Sequence, residues 1–490
     1  MKSRPLFKWL LLLFLIAVFA RIVPGPRTID DAYITFRYAR NLLAGQGFSF
    51  NPGEPVLGTS TPLYTLFMAA LGGLAGGPQA DFPRIAWLLN AILDGFTAIS
   101  LALVGVRLNL RWAGWATALA WAIAPFSVTF AIGGLETSLY VLLLIGACYS
   151  YINKCFALSA GLGSLALLTR PDALLLLVLL AFHRMTTSRR EDEMSIEGKE
   201  WLALTLPFGL WAFFAWSYFG SPLPHSVLAK TAAYQLEPTT ALIRLIQHYA
   251  TPFQGHLLLG QAWIGVGLLL YPFLFVVGAR HLFKSNRAVL PFALFPWLYF
   301  IVFAGANPLI FRWYLTPPLP FLFIFILVGL ELLISQMGKG FNWSLRLINA
   351  ISIALILAMP TLMLLSDWQA HPDHGQDQPA PSMAWIKLEI LYEQAAEQLV
   401  QQPGWNRSQE IAAGDVGVLG YFTQAPVLDL VGLNSAQSLG YYPLPMTAYA
   451  DFVYAIPTQL VLDETPDYLV FLEIYARHTL LKDKAFLEQY

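Results

Sequence analysis

PLYTLFMAALGGLAGG, residues 62–77, is the stretch on which the architecture turns, because it is apolar enough to be taken for a membrane span. The chain has 490 residues, 57% of them hydrophobic and only 12% charged, with a mean hydropathy of +0.57. A soluble domain carries about 25% charged residues, so the bulk of this chain belongs in lipid. Eleven other apolar runs read as spans of about 30 Å of hydrocarbon: 7–24, 85–106, 113–132, 137–153, 156–169, 172–183, 201–218, 258–278, 288–304, 313–335 and 346–366.

Leaving 62–77 out makes the loops alternate. One side receives Lys2, Arg4 and Lys8, then Arg107 and Arg111, Lys154, Arg184, Arg189, Arg190 and Lys199, then Arg280, Lys284 and Arg287, and last Lys339 and Arg346. Basic loops stay in the cytoplasm. Counting 62–77 as a span would put the later ones outside. Residues 62–77 are therefore expected to lie at, or dip into, the outer face. The expected topology is a multi-pass protein of the cell membrane with about eleven spans, the N-terminus cytoplasmic and the C-terminus extracytoplasmic. The first twenty residues read as a retained anchor, since no small-residue cleavage site precedes Arg27.

The balance of charge, a net −1, shows no basic stripe, and no nucleic-acid partner is expected. Cys148 and Cys155 lie in or beside apolar runs with no CxxC and no His partner, which argues against a disulfide framework or a zinc site. Beyond residue 367 the composition becomes polar, starting with the Pro-rich DWQAHPDHGQDQPAPS, which reads as a linker. Helical spacing over 383–402 and short apolar runs at 411–413, 427–430 and 468–472 predict a small α/β domain. The division expected is a transmembrane domain at 1–366, with a first outer loop at 25–84, and an extracytoplasmic domain at 367–490.

Chemistry is sought first in that outer loop, IDDAYITFRYARNLLAGQGFSFNPGEPVLGTSTP at 29–62. Charges beside a bilayer are costly unless they are used. Asp30 and Asp31 repel when both are ionised, so one pKa tends to rise and suit a general base. Asp30 is equally suited to cap a helix that starts at Asp31. An acidic pair can also hold a divalent cation weakly, although no metal cluster is evident. On a helix from Asp31 to Ala44, Tyr33, Arg37 and Asn41 share a stripe with Arg40 beside it, and Gly45 stops the helix. Arg37 and Arg40 suit a phosphate, a lipid headgroup or the two Asp residues.

Further along, Glu136 sits at an outer turn, as a cap, an ion-pair partner or a site residue. Arg170 and Asp172 read as a structural pair. His225 and Lys230 lie on a Pro-rich outer loop, and Arg312 opens the tenth span beside Trp313 and Tyr314, which suit an aromatic belt. Lys230 and Arg312 are placed to hold a lipid phosphate.

These residues carry a resemblance. The run from Asp30 to Asn41, the Asn51-Pro-Gly-Glu54 turn and Gly58-Thr-Ser-Thr-Pro-Leu-Tyr64 resemble the GT-C class of polytopic glycosyltransferases that use polyprenyl-phosphate sugars. They are most similar to its arabinofuranosyltransferase/mannosyltransferase-like branch. So are Leu135-Glu136-Thr137, Thr169-Arg-Pro-Asp172 and Pro222-Leu-Pro-His-Ser-Val-Leu-Ala-Lys230, the last with His225 where relatives often carry Asn. In the tail, Gly414-Asp-Val-Gly-Val-Leu-Gly-Tyr421 and Asp429-Leu-Val-Gly-Leu433 are similar too.

The resemblance implies an all-α polytopic bundle whose first outer loop carries interfacial helices and the catalytic acid. Asp30 aligns with the family's base, and Asp31 stands beside it. Tyr33, Glu136 and His225 would contact sugar or acceptor, and Lys230, Arg312, Arg37 and Arg40 the donor phosphate. The activity implied is sugar transfer from a polyprenyl-phosphate donor to a cell-envelope glycan, lipid or protein acceptor on the outer face. A transporter or flippase would carry inverted repeats and charges within spans, of which Asp94 is the nearest instance. A polysaccharide polymerase or ligase would concentrate its chemistry in one late loop. A non-catalytic envelope-assembly protein would not depend on Asp30.

Overall fold

The computed structural model describes residues 3–188 and 195–490. Of the basic residues counted for topology, Lys2, Arg189 and Arg190 lie outside the described residues, as does the side chain of Arg4. The N-terminal part runs α1 (Ser3–Ile22), α2 (Asp30–Leu43), α3 (Pro62–Leu74), α4 (Phe82–Arg107), α5 (Ala113–Ile123), α6 (Pro125–Ile132), α7 (Thr137–Ile152), α8 (Phe156–Leu167), α9 (Leu174–Ser188) and α10 (Gly198–Phe219). There follow α11 (His225–Ala233), α12 (Thr240–Ala250), α13 (His256–Leu259), α14 (Ala262–Ser285), α15 (Leu290–Ala306), α16 (Leu319–Gly340), α17 (Leu345–Ser352) and α18 (Met359–Leu365).

All eleven apolar runs are helical, and the chain is a multi-pass membrane protein. Among the described residues six helices are long and apolar enough to cross a membrane, or seven if the α5–α6 pair, bent by 42°, is one span. The expectation of about eleven spans counted shorter helices as well: α7 and α8, with 16 and 12 residues, reach only about 24 and 18 Å at 1.5 Å per residue. The 13-residue α3 spans about 20 Å, too short for the hydrocarbon. It packs along α2 rather than through the bundle.

Pro125 explains the bend. It has no N–H to give the Trp121 carbonyl, which instead accepts from Ser127 Oγ at 2.6 Å. Arg21 of α1 fills the break: it donates to Ser127 Oγ at 2.9 Å and to the Ala122 carbonyl, and pairs with Asp94 Oδ2 at 3.0 Å. Ser138 Oγ donates to the same Asp94 oxygen at 3.0 Å. Both charges are fully buried. Asp94 is thus the counter-ion of a bundle staple joining five helices, α1, α4, α5, α6 and α7. Elsewhere small residues set the spacing: a Cβ on Gly278 of α14 would lie 2.1 Å from the Phe325 carbonyl of α16, and one on Gly329 2.0 Å from that of Leu274.

The C-terminal part holds β1 (Trp368–Gln369), β2 (Ala380–Pro381), α19 (Lys387–Val400), β3 (Ile411–Ala413), α20 (Gly417–Thr423), β4 (Val427–Asp429) and β5 (Tyr468–Val470). The last three strands form a parallel sheet in the order β4-β3-β5, with Ile411 opposite both Val427 and Tyr468. The Pro-rich stretch read as a linker is tied down. Its ends pair as β1 and β2, and buried Arg27 donates to the carbonyls of Gln376 at 2.7 Å, Gln378 at 3.2 Å and Ala384 at 3.3 Å.

Candidate active site

The α2 helix begins at Asp30, one residue earlier than expected, and Ile29 occupies the cap position with no side-chain cap bond. Asp30 therefore does not cap its own helix. Its carboxylate accepts from the backbone N–H groups of Gly417 at 3.1 Å and Val418 at 2.8 Å, at the start of α20. Burial, then the nearby Asp415, hold its pKa well above the usual carboxylate range, against the pull of those two amides. Consecutive residues on a helix point about 100° apart. Asp31 accordingly faces elsewhere, into a cavity of about 580 Å³.

Across that cavity Lys230 Nζ lies 3.8 Å from Asp31 Oδ2, with its side chain 25% exposed. The ammonium also sits 4.7 Å from the centre of the Phe311 ring. Burial opposes its charge, but Tyr314, Asp31 and Glu136 outweigh burial and keep its pKa above the ordinary value. The floor is an ion-pair cluster: Arg170 Nη1 meets Glu136 Oε1 at 3.0 Å and Arg170 Nε meets Asp172 Oδ1 at 3.0 Å, all three side chains being nearly buried. Tyr314 lies beneath the guanidinium at 4.9 Å, and Tyr299 donates to Asp172 Oδ2 at 3.1 Å. One part of the wall offers the hydroxyls of Thr35, Thr59, Ser60 and Thr61, and another the apolar surfaces of Phe303, Leu309 and Trp313. A sugar with a phosphate and an apolar tail would find matching chemistry on these surfaces.

The structure brings Asp31, Glu136 and Lys230 of the expected site together, and adds Arg170 and Asp172. Others go elsewhere. Arg37 is buried and donates to the carbonyls of Phe50 at 2.7 Å and Ala425 at 2.8 Å and to Asn51 Oδ1 at 3.1 Å. Arg40 donates to the carbonyls of Pro78 and Tyr421 and covers the Tyr421 ring at 3.7 Å. Neither lines the cavity, so neither is placed to hold a donor phosphate there. Tyr33 packs on Tyr421 and Phe422 instead of lining it. His225 starts α11, its N–H donating to the Leu57 carbonyl at 2.8 Å, while the adjacent Ser226 takes the cavity position. Arg312 is exposed, near Arg244 and Asp367 and off the cavity lining, so it does not meet Lys230 there.

Asp415, Glu389, Tyr392 and Tyr475 were not singled out from the sequence. Asp415 Oδ2 accepts from Tyr392 OH at 2.7 Å and Tyr475 OH at 3.3 Å, close behind Asp30. The cation considered for Asp30 and Asp31 meets a poor donor set: both Asp30 oxygens are taken by amides, and Asp31 faces an ammonium. Among the described residues no group of three or more His, Cys, Asp or Glu side chains is arranged to hold a metal ion.

Burial, reinforced by Asp415 and Asp31, pushes Glu389 up to about 7 from an ordinary 4.5. A raised carboxyl favours the folded state only while protonated. Its contribution is full below pH 4.5 and is lost as pH rises to about 7. Glu389→Gln is expected to reduce the loss of folding stability between pH 5 and 8 by on the order of 3 kcal/mol at most, seen as a smaller fall in melting temperature. An unchanged pH dependence in thermal unfolding would show that Glu389 ionises freely in the fold.

The fold and cavity define a class. The chain has the GT-C fold: it matches the Archaeoglobus fulgidus oligosaccharyltransferase in the apo form with a TM-score of 0.55 at 11% identity, over 89% of this chain and 65% of that one. It also matches ArnT from Cupriavidus metallidurans bound to undecaprenyl phosphate, with a TM-score of 0.55 at 11% identity, over 90% of this chain and 88% of that one.

In sequence it is similar to particular members. It is 29% identical over 231 residues to the terminal β-(1→2)-arabinofuranosyltransferase of Mycobacterium tuberculosis, covering 42% of this chain and 35% of that protein. It is 26% identical over 301 residues to the enzyme of the same name from Corynebacterium glutamicum, covering 53% and 39%. The matched region is well under half the length of either relative. Residues 385–490 match a domain of unknown function (DUF8728). The resemblance to the arabinofuranosyltransferase-like branch thus rests on sequence, while the fold is that of the wider GT-C class.

Proposed function

We propose that this protein is a membrane glycosyltransferase that moves a sugar from a polyprenyl phosphate to a hydroxyl of a cell-envelope acceptor, with Asp31 as the general base. The observation that carries this reading is the pairing of Asp31 with Lys230 at 3.8 Å on the wall of the cavity. The names of the relatives make arabinofuranose the first sugar to test. By the loop charges, the cavity opens on the outer side of the membrane, with the N-terminus in the cytoplasm and the C-terminal part outside.

Lys230 binds the donor phosphate, to which its ammonium is a single mobile cation, whereas Arg170 is held between two carboxylates. The apolar wall takes the first isoprene units, and the hydroxyl wall with the Glu136–Arg170–Asp172 floor takes the sugar. The acceptor oxygen attacks the anomeric carbon as its proton passes to Asp31. The bond from that carbon to the phosphate oxygen breaks, the electron pair leaves with the polyprenyl phosphate, and Lys230 neutralises the charge that develops. One displacement inverts the configuration relative to the donor. Asp30 is turned to the two amides and off the cavity lining, whereas Asp31 lines the cavity, which is why Asp31 is taken as the base in its place.

Lys230→Met keeps much of the side chain's bulk and removes the charge. Charge-assisted hydrogen bonds contribute about 1.5–3 kcal/mol, so the variant is expected to bind undecaprenyl phosphate roughly 10- to 100-fold more weakly. Equal affinity in a titration of the purified proteins would take Lys230 out of the donor site.

A further inference from the structure

We propose that the C-terminal part, including the stretch that matches a domain of unknown function, is the positioning half of the active site: its Gly417 and Val418 amides hold Asp30 and thereby set where Asp31 faces. The inference rests on the reading of Asp31 as base. Asp30 is a positioning residue in this scheme, touching neither donor nor acceptor.

Several polar groups of the first outer loop reach this same partner. Asp30 takes both amides. Arg37 reaches the Ala425 carbonyl, Arg40 the Tyr421 carbonyl, and Asn51 exchanges two hydrogen bonds with the backbone of Val427 at 2.9 and 3.1 Å. The approach is too close for side chains. A Cβ on Gly417 would lie 1.9 Å from the Asp30 carbonyl oxygen, and one on Gly420 2.2 Å from Arg37 Nη1. A Cβ on Gly58, a cavity residue, would lie 2.1 Å from Asn434 Oδ1 and 2.8 Å from the Leu433 carbonyl, and Leu433 itself lines the cavity.

Geometry explains why this contact matters to the neighbouring residue. Asp30 and Asp31 form the first turn of α2, where the backbone has no earlier helical turn to hold it. The Ile29 N–H bonds the Gly133 carbonyl at 3.1 Å, which fixes the chain before the helix. The Asp30 carboxylate fixes the rotation of the turn itself. A shift of the base by about 1 Å is enough to cost roughly 10²-fold in rate.

The test is a cycle of Asp30→Asn, Gly417→Ala and the double variant, beside Asp31→Asn, assayed with a polyprenyl-phosphate arabinofuranose and an arabinofuranoside acceptor. Each single variant is expected to lower kcat about 10²-fold while leaving the KM for the lipid donor within about twofold. The double variant should be no slower than the worse single one, because both break one contact. A role in stability alone predicts lower melting temperatures with unchanged kcat per folded molecule, and that result overturns the proposal. So does a full kcat for Gly417→Ala with Asp30→Asn as slow as Asp31→Asn, since Asp30 would then meet the reacting hydroxyl itself. Normal turnover by Asp31→Asn with loss in Asp30→Asn refutes the choice of base instead. Amide exchange of the unmodified protein gives a readout that needs no variant and no sugar. The peptide over 415–419 should be protected as strongly as α2, and fast exchange there overturns the proposal.

Discussion

Asp31→Asn is expected to leave the protein folded and donor-binding nearly intact while turnover falls about 10²–10⁴-fold. The substitution keeps size and one acceptor oxygen but removes the basicity that takes the acceptor's proton. Among the described residues Asp31 makes no buried structural bond: it pairs with Lys230 at 3.8 Å, and its side chain is 36% exposed. Loss of the ion pair therefore carries a small stability cost, about 0–1 kcal/mol for partly exposed pairs. Donor affinity stays the same or rises, because Lys230 no longer shares its charge with a carboxylate. Steady-state kinetics with thermal unfolding on the same preparation separates these effects. Near-normal kcat in Asp31→Asn would remove the base from this position.

Arg170→Met is expected to be the most destabilising single change in the site. It leaves Glu136 and Asp172 without their shared counter-ion, with side chains only 9% and 8% exposed. Breaking a buried pair by removing one partner costs about 3–5 kcal/mol, because the remaining charge stays buried. Here two carboxylates remain, so one of them must take up a proton or the cavity floor must open to water. Adding Glu136→Gln and Asp172→Asn should recover part of the lost stability without recovering transfer. Thermal unfolding in detergent reads the first effect, and sugar transfer the second. A melting temperature equal to that of the unmodified protein would mean that the floor is already hydrated.

Periodicity and length carried much of this fold in the sequence. The α2 helix ends within a residue or so of the run from Asp31 to Ala44, and β3 falls on the apolar triplet 411–413. Hydrophobic runs are local signals, and they survive without knowledge of partners. Side-chain direction does not. Asp30 and Asp31 are neighbours in sequence with the same chemistry, yet one meets backbone amides and the other an ammionium-lined cavity. Arg37 and Arg40 looked like phosphate ligands because a charge near lipid needs a partner. Their partners include carbonyls 388 and 381 residues away, which no spacing rule reveals. The Arg170 pair was legible as an ion pair, but its place beneath the cavity depends on how α8 and α9 meet the outer loops.

The bond from Gly417 to Asp30 joins residues 387 apart in the chain. Ribosomes add about 5–20 residues per second, so the partner of Asp30 is made roughly 20–80 s after Asp30 itself. All the apolar helices precede it. A growing chain can therefore be inserted and packed as a bundle while its first outer loop still lacks the surface that orders it. On the proposed function, competence is conferred last, and a protein cut short after residue 366 would occupy the membrane without transferring sugar.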